Sequence, residues 1–84
     1  MNGRKISLEA LEVLDAIERR GSFAAAAESL YRVPSKVTYT VQKLEQDLGV
    51  RLFRKEGRRS VLTPAGKLLL EQGRELLEAA DRLV

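Results

Sequence analysis

Four residues, Gly21, Pro34, Gly49 and Pro64, punctuate this 84-residue chain and leave it little freedom in how it folds. Glycine just past a helix end and proline at a first helical position are favoured stop and start signals. Between these marks the apolar residues recur with helical period everywhere except between Gly49 and Pro64. The pattern predicts helix, helix, helix, hairpin, helix in one small domain.

In the first segment Ser7 is a good N-cap, Glu9 sits in the first turn, and Arg19 and Arg20 in the last, all favourable to the helix dipole. Ala10, Val13, Leu14 and Ile17 form one apolar stripe, with Asp15 and Arg19 paired four apart on the wet side. Gly21 ends that helix and Ser22 caps the next, "FAAAAESL", in which Phe23 and Leu30 are the expected core anchors. Residues 31–33 are expected to be a turn. The third helix is expected from Pro34 to about Asp47, stopping before Gly49.

That third helix, inside "YRVPSKVTYTVQKL", is built from mediocre helix formers, so other demands shape it. At 100° per residue, Val41, Leu44 and Leu48 lie within about 40° of Val37 and give a buried face. Ser35, Tyr39, Gln42 and Gln46 point the opposite way, flanked by Lys36 and Lys43 on one side and Thr38 on the other. A solvated face more often carries paired Glu and Lys. Hydroxyl and amide groups rimmed by lysines suit base edges between phosphates.

The charge distribution points the same way. The net charge of +3 is concentrated in residues 29–67, where nine basic side chains face three acidic ones; both flanking segments are net acidic. A basic middle third suits a polyanionic partner, although a solvated basic surface would have the same composition. Cys and His are both absent, which removes disulfides, thiolate zinc sites, the cysteine nucleophile and the commonest general base. The acidic residues are scattered over helix exteriors, so no catalytic constellation and no cofactor or metal site is expected. No apolar run is long enough for a membrane span or signal peptide, so a cytoplasmic protein is expected.

After Gly49, "VRLFRKEGRRSVLTPAG" reads as a two-stranded hairpin, with Leu52 and Phe53 before a turn at Glu56-Gly57 and Val61 and Leu62 after it. Arg54, Lys55, Arg58 and Arg59 crowd around the turn. A basic hairpin following a helix-turn-helix has the composition of a wing, and an arginine at its tip suits a minor groove. Thr63 then caps, and Pro64 starts, a helix expected to run to the end of the chain. Two rows repeat at seven, Leu69, Leu76 and Leu83 beside Leu70, Leu77 and Val84. Together they make an apolar strip wider than one small domain covers, the signature of half a helix–helix dimer.

Three stretches, "LEVLDAIERRGSFAAAAESL", "VTYTVQKLEQDLGVRLFRK" and "LTPAGKLLL", resemble the N-terminal DNA-binding domain of LysR-type transcriptional regulators. The resemblance runs from about Ile6 to the C-terminus. It rests on Gly21-Ser22-Phe23 before the alanines, on Leu44-Glu45, Leu48-Gly49 and Leu52-Phe53 at their spacings, and on Leu62-Thr63-Pro64-Ala65-Gly66. It implies a mainly α winged helix-turn-helix over residues 1–63, followed by a linker helix over 64–84 that pairs antiparallel in a homodimer. It further implies an interrupted inverted repeat in promoter DNA as the partner, tetramers in the full-length protein, and an inducer bound by a C-terminal domain outside this chain.

Base contacts are expected from Ser35 and Gln42 on the outward face and, at positions matching the family, from Pro34, Thr38 and Tyr39, with Arg58 at the wing position that reads the minor groove in relatives. Phosphate contacts would come from Ser22, Arg32, Lys36, Lys43, Arg54, Lys55, Arg59 and Thr63, and the dimer contact from Leu69, Leu70, Leu76, Leu77, Leu83 and Val84. The sequence departs from the commonest family pattern at the start of the third helix. Val33 and Pro34 stand where relatives often carry Thr or Ser and then Gln, and Thr38 and Tyr39 where they carry Ser and Arg or His. Val33 has no capping oxygen, and Pro34 no donor for a base edge.

Overall fold

A computed structural model describes residues 6–83 of the chain. Its elements in order are α1 (Leu8–Arg20), α2 (Phe23–Ser29), α3 (Pro34–Leu48), β1 (Phe53–Glu56), β2 (Arg59–Leu62) and α4 (Pro64–Arg82). Side-chain oxygens cap three of the four helices. Ser7 accepts from the Ala10 amide, Ser22 from Ala25 and Thr63 from Gly66. Helix α3 has no side-chain cap, because Val33 stands at that position, and it starts on Pro34. It runs to Leu48, one residue past the expected end, and Gly49 closes it with its amide donating to Glu45 O.

The core forms where the apolar faces of α1, α2, α3 and the start of the hairpin meet. Leu11, Leu14 and Ile17 of α1, Val37 and Val41 of α3, and Leu52 are all at most 2% exposed. Ala26 and Ala27 let α2 lie close to its neighbours, and both are buried. Phe23 and Leu30 are partly buried against this core. The Phe23 ring meets Phe53 edge-to-face, with centroids 5.6 Å apart, a favoured aromatic geometry.

Strands β1 and β2 pair antiparallel with Phe53 opposite Leu62 and Glu56 opposite Arg59. The turn is therefore Gly57-Arg58, one residue later than the Glu56-Gly57 expected. A two-residue hairpin loop favours glycine at its first central position. Gly57 supplies it at φ +62°, which leaves Glu56 in the ladder and puts Arg58 at the tip.

Helix α4 crosses the rest of the molecule at two points where side chains are excluded. A Cβ on Gly66 would lie 2.3 Å from the Leu52 carbonyl oxygen, and one on Gly73 would lie 2.6 Å from Leu11 Cδ2. These contacts seat the first half of α4 on the same core. They also correct one expectation for the leucine rows: Leu70 is 1% exposed and packs inside the domain, so it has no surface to offer a second copy. Leu69 and Leu77 are partly covered by the core, while Leu68, Leu76 and Leu83 are exposed. Val84 lies outside the described residues.

Candidate nucleic-acid interface

Val37, Val41 and Leu44 bury one side of α3, and the helical period then turns Pro34, Ser35, Tyr39 and Gln42 outward. All four are exposed, Tyr39 at 64%, and Thr38 beside them is half-buried. Thr40 spends its hydroxyl on the Lys36 carbonyl within the helix. The outer face thus presents a hydroxyl, a phenol and amides without a central charge. Lys36 and Lys43 flank it and are exposed. Lys43 also lies 3.5 Å from Asp47, an exposed pair too weak to withhold the lysine from a stronger anion.

The wing is fixed to this helix by one carboxylate. Glu45 Oε2 accepts from the Leu52 amide at 2.7 Å and the Phe53 amide at 3.3 Å. Arg51 Nε lies 3.6 Å from the same oxygen. Sequence reasoning missed this tie. Glu45 sits just off the apolar stripe and its partners lie in the next element, so no spacing rule points to them. The spacing of Leu44-Glu45 to Leu52-Phe53, part of the family resemblance, is the one sequence signal that bears on it. A second tie joins the wing to the first helical corner, where the Ser60 amide donates to Gly21 O at 2.9 Å.

The basic residues of the wing divide by geometry. Arg58 and Lys55 are exposed, and neither pairs with a carboxylate among the described residues. Arg54 pairs along β1 with Glu56, two residues on, at 2.8 Å. Arg59 turns back so that its guanidinium lies over Gly21, at the C-terminal end of α1 where the helix dipole favours a cation. Arg32 pairs with Glu9 of α1, and this contact draws it toward α1.

Two capping hydroxyls proposed for phosphates differ in what they have left to give. Ser22 accepts from the Ala25 amide, and its own proton goes to no described residue. Thr63 donates its one proton to the Arg51 carbonyl while accepting from Gly66. A hydroxyl has a single donor, so in the DNA-free chain Thr63 joins the wing to α4, and a phosphate would have to compete with the Arg51 carbonyl for its proton.

In the sequence Tyr31 is marked only as part of a turn. It holds φ +57°, the left-handed region that tyrosine rarely adopts, with a side chain 96% exposed. It stands beside Val33, 61% exposed, at the entrance to α3.

Residues 8–67 match the family described as bacterial regulatory helix-turn-helix protein, lysR family. The chain belongs to this family. It is 61% identical over 80 residues to the probable HTH-type transcriptional regulator YhaJ of Escherichia coli K12, a match covering 95% of this chain and 27% of that protein. It is 50% identical over 76 residues to the uncharacterized HTH-type transcriptional regulator YeeY of the same organism, covering 90% of this chain and 25% of YeeY. The chain thus spans about a quarter of the length of these curated relatives. Among solved structures it resembles the DNA-binding domain of CbnR in complex with DNA, with TM-score 0.85, 38% identity, and 92% of this chain and 88% of that one covered. It also resembles the BenM DNA-binding domain on benA site 1 DNA, with TM-score 0.87, 27% identity, and coverage of 93% and 88%. The relatives are transcriptional regulators, and among the described residues no helix is long and apolar enough to cross a membrane.

Proposed function

We propose that this chain reads a specific duplex DNA sequence as the DNA-binding part of a LysR-type transcription regulator, working as a homodimer in the cytoplasm and without enzymatic activity. The observation that carries this reading is the outer face of α3: exposed Ser35, Tyr39 and Gln42 with Thr38, uncharged at the centre and rimmed by Lys36 and Lys43. Such a face suits the major groove, where hydroxyls and amides discriminate base edges and lysines attract phosphates. The CbnR and BenM domains that share this fold were solved with DNA, which supports the same docking here.

In this reading Pro34, Ser35, Thr38, Tyr39 and Gln42 meet bases, with Pro34 giving apolar contact only. Arg58, exposed at the tip of the turn, enters the minor groove. Ser22, Lys36, Lys43 and Lys55 hold phosphates. Arg54 exchanges Glu56 for phosphate, and Arg32 and Arg59 contribute long-range attraction from their intramolecular positions. Residues 64–84 act as the linker helix, and its exposed Leu68, Leu76 and Leu83 with the edges of Leu69 and Leu77 meet a second copy.

Selection of bound sites from a random duplex pool tests this. The expected product is an inverted repeat of two half-sites, as a two-fold dimer requires. Recovery of no preferred sequence would overturn the reading.

A further inference from the structure

Helix α4 is held to α1 unevenly on its two sides. At the crossing, Gly73 lies directly on Leu11 with no room for a Cβ. On one side of the crossing an open groove of about 760 Å³ runs between Ile6, Leu8, Leu11, Leu69 and Leu76. On the other side Arg74 forms a double clamp onto α1. Its Nε donates to Asp15 Oδ1 at 2.8 Å and its Nη2 donates to Glu18 Oε1 at 2.8 Å. Asp15 is itself steadied by Arg19, whose Nε lies 2.9 Å from the other carboxylate oxygen. Beyond Arg74, Leu77 is the one hydrophobic residue of α4 that packs on the core among the described residues. The helix thus has a close-packed pivot, the face that meets the second copy on one side, and a restraint within its own domain on the other.

A swing of α4 about Gly73 therefore changes this clamp first. From Arg74 to Arg82 the helix is about 12 Å long, so a swing of about 10° moves its end by about 2 Å. In a two-fold dimer built on α4 the displacement is doubled, which is comparable to the rise of one base pair, about 3.4 Å.

We propose that Arg74, by clamping Asp15 and Glu18, fixes the angle of α4 against the DNA-reading unit and so sets the half-site spacing that the dimer accepts. Arg74 is a positioning residue on this view, remote from the base-reading face, and the inference rests on the dimeric DNA-binding reading above. The guanidinium suits this role because its planar fork satisfies two carboxylates at once.

The test is a duplex library carrying two fixed half-sites separated by every spacer from much shorter to much longer than the selected one. The 84-residue wild-type chain is compared with its Arg74→Met, Arg74→Lys and Glu18→Gln variants. Arg74→Met keeps the aliphatic stem and removes both bonds. Its preference for the best spacer over spacers one base pair longer or shorter is expected to fall roughly five-fold, with affinity for a single half-site unchanged. Arg74→Lys, which keeps the charge but lacks the fork, restores only part of the preference, and Glu18→Gln, which keeps the Asp15 branch, gives an intermediate loss and serves should Arg74→Met fold poorly. Unaltered spacing preference in Arg74→Met, or in Glu18→Gln if only that variant folds, overturns the clamp while leaving the dimer reading intact. A wild-type chain with no spacing preference overturns both.

Discussion

Thr38 and Glu45 sit on the same helix and are expected to fail in opposite ways. Thr38 is half-buried on the outer face, and its hydroxyl bonds to no other described residue. Thr38→Ala should leave thermal unfolding almost unchanged, cost about 1–3 kcal/mol on the selected DNA site and relax preference at one base position. Competition binding against single-base variants of the site measures this. Glu45 has the reverse profile, because its carboxylate satisfies two amides of the buried pair Leu52 and Phe53. Glu45→Ala leaves those amides short of an acceptor, and denaturant unfolding should show a loss of about 1.5–3 kcal/mol. Thr63 shows why a residue type alone does not settle a role. Threonine before a helix suits a phosphate donor, yet the fold gives its proton to Arg51.

The helices were largely legible in the sequence. Ser7, Ser22 and Thr63 cap where local chemistry predicts, and Gly21 and Gly49 end α1 and α3. Side chains that act between elements were not legible. Glu45 to the wing, Arg74 to α1 and Arg59 over Gly21 join residues far apart in the chain, and periodicity carries no information about such pairs. Leu70 illustrates the same limit, because a heptad row does not say which of its members the domain itself covers. The α2–α3 turn offers a test at this scale. Tyr31 is almost wholly exposed at φ +57°, so Tyr31→Gly relieves backbone strain while removing almost no packing. Unfolding measurements should show a gain of about 0.5–1 kcal/mol. At the other end of the molecule Gly66→Ala drives a methyl into the Leu52 carbonyl. It should destabilise by about 1–3 kcal/mol, visible as a lower Tm.

For the molecule as a whole, exposed cations outside the reading face should act on every DNA sequence alike. Lys43→Ala is expected to weaken cognate and random duplex equally, and to reduce the slope of log affinity against log salt by roughly 1. A loss confined to the cognate site would place Lys43 among the base readers. The wing and α3 share the Glu45 carboxylate, which holds the Leu52 and Phe53 amides directly against the helix across the short 49–51 connection. A minor groove too wide or too narrow for Arg58 would therefore tilt α3 in its own groove. Bases flanking the half-site would then be selected through the width they impose on the groove that receives Arg58, and the register of the major-groove contacts would report on the shape of the groove next door.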